Sequence, residues 1–183
     1  MKKSVLVTVI VLVFSLVGII LGNKSFAFEN NVNDSWNINF NNLKTSIING
    51  SAYVPNDPEI IETNINAFDV LISKKGDYAS FTFDVENSGN IDAKLVTINK
   101  IEPKCISLEL PENTSDEELV CSNLDYKYYY TKTNKEVKIG DVIKAGTKEN
   151  ITIKVGFKNN SISDPTGDVQ ITLFDSTLVY NKK

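Results

Sequence analysis

Two cysteines, Cys105 and Cys121, are the residues of this chain best suited to forming a covalent bond with each other. A bridge between them would close a loop with 15 residues between its ends, which the chain-entropy model values at about 3 kcal/mol of stability. The alternative is a pair of buried thiols. The C-x-x-C spacing of redox-active cysteines is absent, so we predict a structural disulfide.

Carboxylates are the second group with chemical potential, because they bind calcium and can hydrolyse glycosidic bonds. Asp116, Glu117 and Glu118 are adjacent, and Asp92 or Asp125 could complete an oxygen cage of the kind that calcium prefers. The D-x-D-x-D-G spacing of a calcium loop is missing, however, and aspartates in turns usually bind their own backbone. A glycosidase needs only two suitably separated acids, but no other polar cluster surrounds a candidate pair. We expect no metal, no cofactor and no catalytic residue.

The sequence contains no histidine, and every one of its 19 basic residues is lysine. Without imidazole, Ser-His-Asp and Cys-His sites and histidine-ligated zinc sites cannot form. Without guanidinium groups, the chain lacks the forked donor that reads guanine and phosphate. Beyond residue 27, 16 lysines face 23 acidic residues, a net charge of −7. Because the histidine-dependent catalytic sites cannot form, we do not expect an enzyme. Because an acidic surface repels phosphate backbones, we do not expect a nucleic-acid-binding protein either.

Four tyrosines, at positions 126, 128, 129 and 130, form an aromatic cluster. In a strand, Tyr126, Tyr128 and Tyr130 would share one face and Tyr129 would lie on the other. Tyr129 is therefore the candidate for an exposed aromatic patch that binds a glycan or a protein. The alternative is a set of rings packed at the rim of a core with their hydroxyl groups in water.

The N-terminal sequence is typical of a secretory signal peptide. Lys2 and Lys3 precede an uncharged, apolar stretch at residues 4–22, and Ser25 and Ala27 are small residues at the positions that a signal peptidase recognises. We expect cleavage after residue 27 and a mature domain at residues 28–183. The alternative is a retained membrane anchor at residues 4–22, since that stretch approaches the length of a membrane-spanning helix.

The remainder of the chain has a hydrophobic period of two, which indicates β-strands with one buried face. Residues 79–85 are the clearest case, in which Ser80, Thr82 and Asp84 are expected to face water. Turn signals separate about nine or ten such segments, so we predict an all-β protein, an antiparallel β-sandwich of jelly-roll or Ig-like type. Segments with this alternation lie at residues 36–40, 68–72, 79–85, 151–157 and 169–173.

One segment departs from this rhythm. Ser115 is followed three residues later by Glu118, the spacing of a capping box with serine at the N-cap. We therefore expect one short helix near residues 115–121.

The sequence predicts a hairpin around residues 75–95. Gly76-Asp77 forms a turn, an alternating strand follows, and Asn87-Ser88-Gly89 leads into a second strand. This pattern resembles surface proteins of low-GC Gram-positive bacteria, namely the TasA/camelysin group of exported biofilm-matrix proteins and Ig-like adhesin modules. The resemblance implies a jelly-roll-type sandwich that assembles into fibres by lending its N-terminal strand to a neighbour. The peptidase activity attributed to camelysin-type proteins is not expected here, because the chain has no histidine.

These observations predict an extracellular or cell-surface protein, exported through the Sec pathway, that acts by protein–protein contact. Its expected partners are other surface or matrix proteins, or further copies of itself, and a membrane only through the N-terminal segment. The candidate strand-exchange segment is residues 28–40, with Trp36, Ile38 and Phe40 as its apolar residues. The alternative function is an extracellular carbohydrate- or ligand-binding module that uses Tyr129.

Overall fold

A computed structural model of the chain describes residues 35–109 and 111–183. These residues form antiparallel β-strands and one helix, so the prediction of an all-β protein with one short helix is confirmed. Residues from Ser35 onward belong to a single compact unit. The predicted signal peptide with its helix, the alternative anchor at residues 4–22, and positions 28–34 lie outside the described residues. Within the described ranges, no helix is long and apolar enough to cross a bilayer.

Thirteen strands occur in the described part of the chain, more than the nine or ten expected, because four of them have only two residues. Two-residue ladders are too short to produce an alternating pattern in the sequence. The strands are β1 (Ile38–Asn49), β2 (Ile60–Ile61), β3 (Asn64–Ile65), β4 (Phe68–Ile72), β5 (Tyr78–Asn87), β6 (Ala93–Lys100), β7 (Lys104–Ser107), β8 (Leu124–Tyr130), β9 (Lys135–Glu136), β10 (Val142–Ile143), β11 (Thr147–Phe157), β12 (Val169–Leu173) and β13 (Ser176–Lys182).

The strands are arranged in three antiparallel sheets. Sheet I has the order β1-β5-β11-β8-β9, sheet II the order β10-β6-β13-β3-β2, and sheet III the order β4-β12-β7. Strand β3 of sheet II continues into β4 of sheet III, and β12 of sheet III continues into β13 of sheet II. Two short connections therefore join sheets II and III. At this junction the backbone N–H of Ala67 donates to Asp175 Oδ1 over 2.8 Å.

All three sheets contribute to one apolar core. The rings of Phe68 in sheet III and Phe81 in sheet I meet edge to face, with centroids 4.9 Å apart. Sheets I and II meet where Tyr128 Oη donates to Ser176 Oγ over 2.7 Å. Full burial of each large apolar side chain contributes about 1.5–3 kcal/mol. The core-facing residues that are completely buried include Val70, Ile72, Phe81, Phe83, Ile151, Ile153, Ile171 and Leu173.

The second face of β5 is not in water, contrary to the expectation from its alternation. Ser80, Thr82 and Asp84 are only 3%, 8% and 8% exposed. Strand β5 lies between β1 and β11, and polar side chains from both neighbours cover it. Asn42 Nδ2 and Asn150 Nδ2 donate to the two oxygens of Asp84, over 2.9 and 2.7 Å. A polar residue in a central strand is therefore buried by its neighbours and satisfied by them.

Helix α1 spans Thr114–Ser122 and lies against β7 and β12. Its N-cap is Asn113, whose side chain accepts from the backbone N–H groups of Ser115 and Asp116. The capping-box assignment to Ser115 is therefore wrong. An asparagine oxygen caps a helix as well as a serine hydroxyl does. The spacing rule therefore placed the N-cap two residues too late.

The two cysteines are joined, consistent with the predicted disulfide. Cys105 Sγ in β7 and Cys121 Sγ in α1 lie 2.01 Å apart. A buried carboxylate reinforces this attachment, since Asp116 Oδ2 accepts from the backbone N–H and the hydroxyl of Thr166 at 2.8 and 2.7 Å. The helix is thus fixed at its first turn by hydrogen bonds and at its last turn by a covalent bond.

Asp77 fixes two turns to the start of β5. Its carboxylate is 3% exposed and accepts hydrogen bonds from the backbone N–H groups of Ser51, Ser73 and Lys74 and from the hydroxyl of Ser51, over 2.7–3.0 Å. Burial raises the pKa of Asp77, but these hydrogen bonds outweigh it and hold the pKa below its ordinary value of 3.8. The ionised carboxylate therefore stabilises the folded chain.

We predict that Asp77→Asn lowers the free energy of unfolding by about 2–4 kcal/mol, because an amide cannot accept at both positions and leaves buried N–H groups unpaired. The folded-state pKa is lowered, so the contribution of Asp77 is complete above the unfolded-state pKa and is lost as the pH falls through the folded-state value. Urea unfolding at pH 7 and at pH 3 measures both effects. Asp57→Asn, at an exposed carboxylate, is the control and should change stability by well under 1 kcal/mol.

Candidate functional site

Strand β1 forms one edge of sheet I and contains the predicted strand-exchange residues. It pairs with β5 from Ile38 opposite Asn87 to Asn49 opposite Tyr78. Phe40 is its single buried side chain, and the Phe40 ring lies 5.3 Å from that of Phe83. Only one side chain of this twelve-residue strand is therefore fully buried, while Ile38 and Leu43 pack against the core and stay partly exposed.

The structure brings Trp36, Ile38 and Phe40 together on one side of this edge, as their alternation predicts. Trp36 lies just before β1, and both Trp36 and Ile38 are partly buried against the core. Trp36 and Ile38 also line a shallow depression beside β13, with Tyr180 on its other wall. The N-terminal half of β1 therefore carries most of the apolar contact of the strand.

The C-terminal half of β1 is irregular. The register with β5 shifts between Asn41 and Lys44 and again between Thr45 and Ile47. Asn42 has a φ of 58°, a left-handed conformation that asparagine tolerates better than most residues. Irregularities of this kind on an edge strand interrupt the row of unpaired backbone groups that would otherwise bind another sheet. They also leave β1 less firmly paired than a regular strand.

The N-terminal end of β1 is held by the Asn87–Asn90 turn. The backbone N–H of Ser88 donates to Asn37 O, and that of Asn90 donates to Ser35 O, both over 3.1 Å. A Cβ at Gly89 would lie 2.3 Å from Ser35 O, so only glycine permits this approach. The sequence predicts a turn at these residues, but only the structure reveals that the turn contacts β1.

Asn87 is the residue of this turn that the sequence did not identify as important. Its side chain has no exposed surface. Nδ2 donates to the carbonyls of Ile91 and Ile143, over 2.8 and 3.2 Å, and Oδ1 accepts from the N–H of Gly89. The amide thus fixes the turn and connects it to β10 in sheet II.

The tyrosine cluster divides between the two faces of β8 as its period predicts. Tyr126 and Tyr128 are buried, at 7% and 3% exposure, and burial raises the pKa of Tyr128 well above its ordinary value. Tyr129 lies on the other face, opposite Glu136 and Thr152. Burial, followed by the charge of Asp125, raises the pKa of Tyr129. Since its three neighbours in the cluster face the core or its rim, Tyr129 contributes one ring and not a stacked platform.

The acidic residues considered for calcium are used for structural contacts. Asp116 binds the turn at Thr166, and Glu117 Oε1 accepts from the backbone N–H of Ser107 over 2.9 Å. Asp92 forms an ion pair with Lys144 over 2.8 Å, and this contact lowers the pKa of Asp92. Across residues 35–109 and 111–183, no three acidic or cysteine side chains are grouped so that they could hold a metal.

We predict that Gly89→Ala separates the N-terminal half of β1 from the turn, because the new methyl group cannot occupy the space taken by Ser35 O. Hydrogen exchange of the amides of residues 38–41 should accelerate by on the order of tenfold or more, while β11 keeps its protection. Gly140→Ala, where a Cβ meets open space but φ is 102°, is the control for general backbone strain without a clash. Equal acceleration in both variants would contradict the contact described here.

Comparison of the chain with known proteins finds no match among protein-family models, curated proteins or solved structures.

Proposed function

We propose that this chain is an exported, cell-surface or matrix structural protein that acts by contact with other proteins, including copies of itself. Its scaffold on this proposal is a β-sandwich, with sheet I as one layer and sheets II and III as the other. The observation that carries the proposal is strand β1, the first strand of the described chain, which lies at a sheet edge with one buried anchor. The signal-peptide pattern and the disulfide are both typical of an exported protein.

The proposed mechanism is exchange of β1 between copies. When β1 leaves its own sheet, Phe40 and the hydrogen-bonding edge of β5 lose their partners. The burial of Phe40 is worth about 2–3 kcal/mol, and the β1 strand of a second copy restores both contacts with the same residues. Each subunit then supplies one strand and receives one, which extends an assembly by a head-to-tail interface.

The two ends of β1 are suited to this exchange in different ways. The N-terminal end contacts the Asn87–Asn90 turn through two backbone hydrogen bonds and through exposed hydrogen bonds of Ser35 and Asn37 to side chains of the turn, all of which can be broken and remade. The C-terminal end runs through Gly50 to Ser51, which Asp77 holds by two hydrogen bonds. Asn49 and Gly50 therefore form the hinge about which β1 moves while the following chain remains attached.

We predict that cysteines placed at Asn39 and Glu86 will link different copies in the assembled protein. These two residues are cross-strand partners in β1 and β5, and antiparallel partners lie about 4.5–5.5 Å apart at Cα, within the range of a disulfide. On exchange, Asn39→Cys of one copy meets Glu86→Cys of the next. A non-reducing denaturing gel should show a ladder of covalent oligomers.

The matched control is Glu86→Cys with Lys148→Cys, which joins β5 to β11. Both strands remain in the same subunit on this proposal, so this pair should run as a monomer from the same assembled material. The proposal fails if the Asn39–Glu86 pair also closes only within monomers, or if the parent protein stays monomeric at every concentration tested.

A further inference from the structure

A broad cleft lies at the end of sheet I that is opposite the Asn87–Asn90 turn. It has a volume of about 980 Å³. Its walls are the turn after β1, the turn before β5, and the segment that follows β11, at residues 49–51, 74–78 and 156–160. Asp125 at the start of β8 and Lys154 in β11 complete the lining. The cleft shares Asn49 and Gly50 with the hinge proposed for β1, while its other lining residues lie outside the exchanged strand.

The cleft concentrates positive charge in a chain that is acidic as a whole. Lys74, Lys75, Lys154 and Lys158 line it, against two acids, Asp77 and Asp125. Asp77 is buried beneath the turns and is satisfied by N–H and hydroxyl donors, and Asp125 lies 3.6 Å from Lys154 Nζ.

Three of these lysines are left with uncommitted charge. Lys74, Lys75 and Lys158 are exposed, and their ammonium groups form no ion pair with any residue of the described chain. Two carboxylates accept from their backbone instead: Asp77 from the N–H of Lys74 and Asp164 from that of Lys75. Four lysines against two acids leave the lining with an excess of positive charge, and like charges gathered in a concave site raise the local potential and attract anions.

The walls of the cleft are built to a fixed shape. A Cβ at Gly156 would lie 2.3 Å from Tyr78 Cβ and 2.6 Å from Asp77 O, so the chain after β11 is pressed against the start of β5. Beyond the proposed hinge, Ser51 donates its backbone N–H and its hydroxyl to Asp77, over 3.0 and 2.7 Å, which ties the turn after β1 to the turn before β5. The lysines are therefore carried on a backbone that is ordered before any ligand arrives, which lowers the entropic cost of binding.

Most of the remaining lining groups are polar and suit a sugar. Tyr78 presents an aromatic ring, above which Lys154 Nζ lies at 4.6 Å from the centroid. Ser51, Asn159 and Asn160 add hydroxyl and amide groups, which pair with the hydroxyl groups of a carbohydrate as donors and acceptors. Phe157 also lines the cleft but is only 2% exposed, so an apolar ligand would gain little there. A single small anion would fill only a fraction of the volume.

We propose that this cleft binds an acidic glycan, a linear carbohydrate or polyol chain that carries carboxylate or phosphate groups. Lys74, Lys75 and Lys158 bind successive anionic groups, and Tyr78 and the asparagines contact the rings or hydroxyl groups between them. Lysine suits this role because its ammonium group is a mobile point charge, which follows a flexible chain without requiring one bidentate geometry. The site would tether the protein to an anionic surface polymer whether or not β1 is exchanged.

The test uses the protein with Lys74→Gln, Lys75→Gln and Lys158→Gln combined, and isothermal titration calorimetry against three probes. Polygalacturonate supplies carboxylates, poly(glycerol phosphate) supplies phosphates, and dextran of similar length is neutral. The parent protein should bind at least one anionic polymer and not dextran, and the triple variant should bind on the order of tenfold more weakly. Binding should also weaken as salt is raised from 50 to 300 mM, because these ion pairs are screened.

The matched control removes three exposed lysines elsewhere, with Lys132→Gln, Lys135→Gln and Lys138→Gln in the β8–β9 region. It changes the net charge by the same amount and should bind like the parent protein. Preference for one of the two polymers identifies the anionic group. The proposal is overturned if neither polymer binds the parent protein, or if both triple variants lose affinity equally, which would indicate unspecific charge attraction. Circular dichroism and thermal unfolding of both variants establish that they are folded.

Discussion

Strand β5 lies between β1 and β11 in sheet I, and both of its ends are fixed by polar side chains that have been removed from water. Asp77 accepts four hydrogen bonds at one end, and Asn87 donates two and accepts one at the other. A buried polar group without partners costs about 1–3 kcal/mol, so neither residue is tolerated unless its turn closes correctly. The two ends of β5 thereby determine where the neighbouring strand begins and ends, and they shape the cleft.

These two contacts explain why β1 is attached so unevenly. Near Asn87 the chain is held by backbone hydrogen bonds and by the close approach that Gly89 permits, and its apolar contacts are concentrated around Phe40. Near Asp77 the chain is held by a buried, ionised carboxylate, which makes stronger hydrogen bonds than a neutral group. The difference in strength places the more easily broken contacts at the N-terminal end and the more durable ones next to the proposed hinge and the cleft. The proposed assembly through β1 and the proposed binding in the cleft are therefore compatible in one subunit.

Where the sequence-based expectations were wrong, a neighbouring element had changed the surroundings of a residue. Thr82 and Asp84 have the spacing of a solvent-facing row, yet side chains from β1 and β11 cover them, and no feature of the sequence of β5 identifies its neighbours. Ser115 fits a capping rule, but Asn113 begins the helix because β7 and the Thr166 turn fix the position of the first turn. The two-residue strands escaped prediction because so short a segment shows no alternation in the sequence and is defined only by its pairing partner.

The sequence by itself determined the properties that follow from residue types and their local period. The absence of histidine and arginine excluded several kinds of chemistry, and the period of two produced antiparallel strands. Whether its residue number is even or odd determined the face of β8 on which each of Tyr126, Tyr128 and Tyr129 lies. Only the tertiary structure decided which strand became an edge, which polar residues became buried, and which lysines came together. Strand order and the meeting of distant turns depend on packing between residues far apart in the chain, and a local pattern carries no information about such partners. Lys74 precedes β5 and Lys158 follows β11, and both line one cleft because these two strands pair side by side.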